Sequence, residues 1–498
     1  MHIALRWIPF HVLCLVLAAS ASAAAATRCD RLLMQLHGKV ADAICFESAD
    51  LTTNNPATTP ANNSLPGLPP FAFTPQTDRN VISPNPPNRT PITKAVPGLQ
   101  LDARIADDPA GEARILLRLP DQWNGKLVVA GASGTRSEFN GDFAWSDYVL
   151  QQGYAYVSQN KGVLNFFLAA VSPTPPADPL ACRLNPTSPF WVHFYDNDPA
   201  TPFTRWTEVM VETARLGRDA LSAHYGRHPR RTYAVGTSNG GYQVRRAMET
   251  EPELFDGGVD WEGTFVDPVA SNILMSLPPA ILNFPDYVAS GFNPSSTAAK
   301  NIVAAGYPPD IVSGTNSLWG LYSAQFWEVT LCQWQKRLDP TYDTYGAGTA
   351  NYSYVARLAA SDVGANVAAI TTTGAIQRPL ITVAGTMDAL LPINDQARAY
   401  ARSVAAARSS SSREGDDDDR RAPPYRLYEV QNGNHIETFK DTFPQLEFIE
   451  PHAQRAFDLL VDFVEHGSSL PPDQCVPRGG AIAASPNEPG HCAALFVP

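Results

Sequence analysis

Apolar positions along the chain follow two alternating rhythms. Beginning at Leu99 they recur at every second residue: Leu99, Leu101, Ala103 and Ile105, then Ile115, Leu117 and Leu119. That period marks a strand with one buried face, and Asp107-Asp108-Pro109-Ala110-Gly111 between the two runs is turn chemistry, so the pair predicts an antiparallel hairpin. Residues 126–130 form a continuous apolar run, a buried strand ending in Gly131-Ala132-Ser133-Gly134. The pattern then predicts a helix over 143–152, a strand over 154–158 and a long helix over 206–225. A strand over 232–235, a helix over 241–250 and a strand over 258–261 follow. Strands alternating with helices predict an α/β fold, with a mostly parallel, doubly wound sheet covered on both faces.

The rhythm breaks over residues 264–375 and resumes with a strand over 379–384. A helix near 394–407, a strand over 425–430 and a last helix over 452–466 complete it. The interruption reads as an inserted helical lid. Within it Trp319, Tyr322 and Phe326 share one helical face, with Trp327 and Trp334 close by. Such a stripe is read first as lid core and second as a substrate platform. Residues 50–95 are rich in Pro, Asn and Thr and read as an extended surface segment. The aspartates at 416–419 read as a solvated loop, because adjacent carboxylates repel and lack the spaced ligands of a calcium site. The chain thus divides into a leader (1–26), an N-terminal extension (27–96), a first core segment (97–263), the lid (264–375), a second core segment (376–468) and a C-terminal tail (469–498).

Composition adds compartment and partners. The chain has 498 residues, 44% of them hydrophobic, which is enough for a large core. A net charge of −12 argues against nucleic acid or an anionic membrane surface as the main partner. Arg6, the short apolar run 8–17 and the small residues around Ala21-Ser22-Ala23 form an export-signal pattern, and no later stretch has the length and apolarity of a membrane span. The expectation is a soluble protein, secreted or periplasmic. Of the 7 cysteines, Cys14 lies in the apolar run. The others suggest disulfides in an exported chain, and we expect the local pairs Cys29–Cys45 and Cys475–Cys492, which leave Cys182 for Cys332.

The chemistry concentrates in Gly236-Thr237-Ser238-Asn239-Gly240-Gly241, a G-x-S-x-G turn that follows a predicted strand and opens a predicted helix. A side chain at Gly236 or Gly240 would collide with neighbouring backbone in so sharp a turn. Ser238 is therefore the candidate nucleophile. A serine hydroxyl needs a base, and the base needs an orienting acid. Asp388, just past the strand over 379–384, and His435, in the loop after the strand over 425–430, stand in the order Ser, Asp, His. Asp260, Glu262 and Asp395 are rival acids, whereas His224, His228, His452, His466 and His491 suit the base role poorly. The backbone N–H of Asn239 is one oxyanion donor by position. The loop 131–134 is the candidate for the other, with Ala132 favoured, although the same loop also reads as a plain structural turn. This chemistry needs no metal and no organic cofactor.

These segments together resemble the α/β-hydrolase superfamily. Leu119-Pro120 followed by Trp123-Asn124-Gly125-Lys126 and the Gly-rich loop is similar to the tannase and feruloyl esterase family, and Ser-Asn-Gly-Gly also resembles secreted polyester hydrolases such as hydroxybutyrate oligomer hydrolases. The resemblance implies hydrolysis of carboxylic esters, phenolic, aliphatic or oligomeric. The tannase family carries cysteines at the positions held here by Thr237 and Ile436. A serine peptidase on the same fold and a non-catalytic binding protein remain the alternatives.

Overall fold

The computed structural model describes residues 26–58, 90–134, 137–139, 141–163, 167–193, 203–342, 351–411 and 423–498. The export signal, most of the Pro-rich segment and the aspartate run lie outside these residues.

The strands are β1 (Val40–Ser48), β2 (Gly98–Ile105), β3 (Arg114–Pro120), β4 (Lys126–Gly131), β5 (Ala155–Gln159), β6 (Phe167–Val171), β7 (Cys182–Arg183), β8 (Phe190–His193), β9 (Arg231–Thr237), β10 (Gly257–Trp261), β11 (Val312–Ser313), β12 (Asn316–Ser317), β13 (Leu380–Gly385), β14 (Tyr425–Val430) and β15 (Gln474–Val476). Ten of them form one sheet in the order β1-β2-β3-β5-β4-β9-β10-β13-β14-β15. The first three strands pair antiparallel, β3 is antiparallel to β5, and every pairing from β5 to β15 is parallel. The predicted hairpin is β2–β3, with Leu101 opposite Leu117. Strands β5, β10 and β13 are buried along their whole length, as continuous apolar runs in a sheet covered on both faces should be.

One face is covered by the helices Thr204–Tyr225, Asn239–Thr250 and Ala397–Ser411, through Val209, Met210, Val244, Met248 and Tyr400. The other is covered by Glu450–His466, whose Phe457 and Leu460 pack with Trp145 and Trp261. Chain order reverses between β4 and β9, where successive connections run to opposite halves of the sheet. In open α/β sheets a crevice forms outside the carboxyl ends of the strands at such a point. This topology, with a sharp strand-to-helix turn after β9, is the α/β-hydrolase fold.

Several elements were not foreseen. The N-terminal extension contributes the helix Arg28–Gln35 and the edge strand β1, and the C-terminal tail contributes β15 at the opposite edge. A separate small sheet, β6-β8-β7, stands beside the main one.

Among the described residues between β10 and β13 the regular elements are helices apart from the short β11–β12 hairpin. The aromatic stripe is core: Trp319, Tyr322, Trp327 and Trp334 are at most 2% exposed, while Phe326 is partly buried against the same cluster. That cluster also contains Met387, Ala389, Leu391, Ile436 and Phe439, which flank Asp388 and His435. Two hydrogen bonds tie the layers together, from Trp327 Nε1 to the Ala389 carbonyl at 2.7 Å and from the Tyr322 hydroxyl to Asn434 Oδ1 at 2.8 Å.

All three expected disulfides are present: Cys29–Cys45, Cys182–Cys332 and Cys475–Cys492. The second joins the small sheet to the helix Trp327–Leu338 across 150 residues, against 16 for the first. Chain entropy makes the longer closure worth more, by roughly 2 kcal/mol. Urea unfolding of the Cys182→Ser/Cys332→Ser variant is therefore expected to show a larger stability loss than that of Cys29→Ser/Cys45→Ser. Equal losses, or the reverse order, would contradict this.

Candidate active site

Ser238 lies between β9 and the helix Asn239–Thr250 with φ +58° and ψ −121°. A non-glycine residue there is strained, and strain of this kind persists only where surrounding structure enforces it. Three backbone bonds do so: Ser238 N–H donates to the Trp261 carbonyl at 2.9 Å, and its own carbonyl accepts from Tyr242 N–H at 3.0 Å and Thr264 N–H at 3.3 Å. The turn also needs backbone in close contact. A Cβ on Gly236 would sit 2.3 Å from the Gly240 carbonyl oxygen, and one on Gly240 would sit 2.6 Å from that of Gly131. Ser238 itself is 7% exposed.

The candidate acid and base, Asp388 and His435, follow the next strand ends. Asp388 follows β13 and is 1% exposed. Its Oδ1 accepts the N–H groups of Leu390 and Leu391, both at 2.7 Å, and its Oδ2 accepts His435 Nδ1–H at 2.8 Å. The two loops are fixed to each other: Thr386 N–H donates to the Val430 carbonyl at 3.0 Å and Met387 N–H to the Gly433 carbonyl at 2.8 Å. Glu262 N–H donates to the Val383 carbonyl at 2.8 Å, so the residues just after β10 run into the acid loop. Ser238, Glu262, Asp388 and His435 thus follow one another along a single sheet edge.

Glu262, a rival acid in the sequence, is the second carboxyl of this site. It is 3% exposed with φ +51°. Its Oε1 accepts Gly385 N–H at 2.9 Å, and its Oε2 lies 3.4 Å from His435 Nδ1. Burial first, and then the charge of Asp388, push the Glu262 carboxyl well above the usual carboxylate range. For His435, burial opposes the charged imidazolium, but the charge and hydrogen bond of Asp388, aided by Glu262, outweigh it and hold the imidazole up at about 9. Glu262, Asp388 and His435 bring their donor atoms within 4.8 Å of one another, a spacing that would also suit a metal ion. Here His435 Nδ1 and Asp388 Oδ2 are instead aimed at each other in a direct hydrogen bond.

The other rival acids are engaged elsewhere. Asp260 and Arg245 are both fully buried and paired at 2.6 Å, and Asp260 also accepts from Thr382 Oγ1 at 2.8 Å and Gly263 N–H at 2.6 Å. Asp395 accepts the Ser271 hydroxyl at 3.3 Å. Among the other histidines, His491 meets Glu429 at 2.6 Å, His466 faces Asp462 in its own helix, and burial pushes His452 down to about 4.

Asn239 opens its helix directly after the serine, at the end where N–H groups point out of the helix. Ala132 requires a correction. Its N–H donates to Gln243 Oε1 at 3.0 Å and is therefore engaged away from the favoured oxyanion role. Gln243 lies on the helix that follows the nucleophile, and no sequence spacing pairs it with the loop at 131–134.

Residues 296–492 match the family model described as 3HB-oligomer hydrolase, a stretch that includes Asp388 and His435 but not Ser238. The chain is 36% identical over 132 residues to a D-(-)-3-hydroxybutyrate oligomer hydrolase of Burkholderia thailandensis, and 35% identical over 132 residues to that of Burkholderia mallei. Each match covers 25% of this chain and spans 17% of the relative's length. Among solved structures, feruloyl esterase B from Aspergillus oryzae aligns with a TM-score of 0.48 and 14% identity over 86% of this chain and 88% of its own. The tannin acyl hydrolase from Aspergillus niger aligns with a TM-score of 0.42 and 12% identity over 76% of this chain and 80% of its own. Sheet topology and the sharp turn at Ser238 give the chain the α/β-hydrolase fold, and its C-terminal portion is similar to the 3HB-oligomer hydrolases.

Proposed function

We propose that this chain is an exported serine esterase that hydrolyses short carboxylic ester chains of the hydroxyalkanoate-oligomer type. The observation that carries the reading is the 2.8 Å bond between Asp388 and His435 on the sheet edge that also presents the strained Ser238. With Nδ1 committed to Asp388, Nε2 is the nitrogen left to serve the serine hydroxyl.

In this scheme Ser238 Oγ attacks the ester carbonyl while His435 takes its proton. The tetrahedral oxyanion is held by the Asn239 N–H and by the loop after β4. Collapse breaks the ester C–O bond, and the departing alcohol receives the proton from His435. Water then attacks the acyl-serine with His435 again as base, which releases the acid and restores Ser238. Asp388 fixes the imidazole tautomer and stabilises the imidazolium throughout.

Substrate scope follows from access and packing. Ser238 and the His435 side chain are each 7% exposed, so an ester must reach a pair of groups that is largely covered by the protein. That suits soluble esters and short oligomers over the surface of a solid polymer. Thr237 and Ile436 stand where tannases carry a cysteine pair, and the names of the Burkholderia relatives point to hydroxybutyrate oligomers. Export is supported by the N-terminal pattern and the three disulfides; among the described residues no helix is long and apolar enough to cross a membrane.

Hydrolysis of 3-hydroxybutyrate dimers and trimers, followed by acid release, should be readily measurable and should fall by roughly 10⁴-fold or more in Ser238→Ala. Retained turnover in that variant would end the assignment. The pH dependence has a definite sign. The base must be neutral, and His435 is held protonated up to about 9, so kcat/KM should climb on the alkaline side with a midpoint well above that of free imidazole. The same raised value stabilises the fold fully below about pH 6.5, and that contribution is lost as pH rises through about 9. A kcat/KM profile already flat above pH 6 would contradict both statements.

A further inference from the structure

Lys161, in Asn160-Lys161-Gly162, was not singled out in the sequence. It is fully buried, and its backbone holds a left-handed φ of +67°. A long cationic side chain rarely enters a protein interior without definite partners, and a bulky residue rarely adopts that φ unless neighbours impose it. Both departures have a visible cause. Lys161 Nζ donates to three successive carbonyls of the loop after β4: Ala132 at 3.3 Å, Ser133 at 3.1 Å and Gly134 at 2.5 Å. Three acceptors match the three N–H bonds of an ammonium group. The ammonium also lies 5.5 Å from the ring centre of Trp206.

The turn is braced from behind. Lys161 N–H donates to Gln159 Oε1, and Gln159 Nε2 donates to Gln243 Oε1 at 3.1 Å. The same Gln243 oxygen receives the Ala132 N–H, and Gln243 Nε2 reaches the Trp206 carbonyl at 2.5 Å. Lys161 and Gln243 therefore hold the loop together, one by its carbonyls and the other by its first N–H.

Peptide planarity turns this clamp into an orientation. In a trans peptide the C=O of one residue and the N–H of the next point to opposite sides. Drawing the Ala132 and Ser133 carbonyls onto Lys161 therefore turns the N–H groups of Ser133 and Gly134 away from it. The loop leaves β4 against the start of the nucleophile's helix, where a Cβ on Gly240 would lie 3.2 Å from Ala132 N.

We propose that Lys161 is a positioning residue that aims the backbone N–H of Ser133, next to that of Asn239, at the oxyanion formed on Ser238. This rests on the esterase reading and assigns the second donor that Ala132 does not supply. Lys161 does not touch the substrate; it acts by fixing the loop before the reaction begins.

The test uses the full-length enzyme with Lys161→Met, Lys161→Gln and Lys161→Arg. Three quantities are read: kcat and KM on p-nitrophenyl butyrate, affinity for phenylboronic acid by intrinsic fluorescence, and thermal melting. Lys161→Met should lower kcat by about 10²-fold, as loss of an oxyanion donor does, with KM changed less than about 3-fold. Boronate affinity should fall in parallel, because the tetrahedral boronate on serine carries the oxyanion's charge. Lys161→Arg should recover part of both losses. Should Lys161→Met fail to fold, Lys161→Gln takes its place, with the same split between kcat and KM. A folded Met or Gln variant with wild-type kcat and boronate affinity would overturn the proposal. So would losses that match only the fraction of unfolded protein. A wild type without ester turnover would instead overturn the esterase reading, while boronate affinity would still report on Lys161.

Discussion

Backbone meeting backbone at the carboxyl edge of the sheet is the constraint on which the site depends. At Gly240 and Gly131 the nucleophile's helix touches the end of β4, and at Gly385 and Gly433 the acid loop touches the histidine loop. A Cβ on Gly385 would lie 2.4 Å from the Gly433 carbonyl oxygen. Any side chain at these contacts would push the strand ends apart. The Asp388–His435 bond at 2.8 Å tolerates little of that, because hydrogen bonds weaken steeply with distance and angle. The chemistry is thus set by what is missing from four backbone positions as much as by the groups that react.

Around that frame the candidate site is ordered by the protein's own hydrogen bonds. Asp388 receives three hydrogen bonds, while Glu262 sits beside it in surroundings that favour the neutral acid. Two carboxyls under one imidazole would repel if both were charged, and burial together with the neighbouring Asp388 favours the neutral form of Glu262. The helical insertion adds stiffness. Its Trp327 and Tyr322 bond to residues adjoining Asp388 and His435, so the insertion shares a core with the loops that carry these two residues. Catalytic groups locked by packing and by surrounding hydrogen bonds lose less in reorganisation when charge develops.

Features governed by local rules were legible in the sequence. Alternation revealed the β2–β3 hairpin, apolar runs revealed β4, β9, β13 and β14, and turn chemistry around Ser238 located the elbow. Asp388 and His435 were singled out because each follows a recognisable strand, and the structure pairs them directly. What escaped depends on partners distant in the chain. The edge strand β1 keeps much of its surface open and so lacks a clean buried face, and β15 is only three residues long. The pairing of Ala132 with Gln243 spans 111 positions, and nothing in the loop itself announces it. Lys161 escaped notice because lysine is rarely buried. Its burial makes sense only once the three carbonyls that surround it are in place.

The central claim is that Ser238 is made nucleophilic by His435 within this arrangement. The most direct measurement is peptide mapping by mass spectrometry after brief exposure of the native protein to a fluorophosphonate, alongside His435→Ala treated identically. The account predicts a single adduct on Ser238 in the native protein and almost none in the variant. Labelling at another residue, or equal labelling of Ser238 without the imidazole, would contradict it.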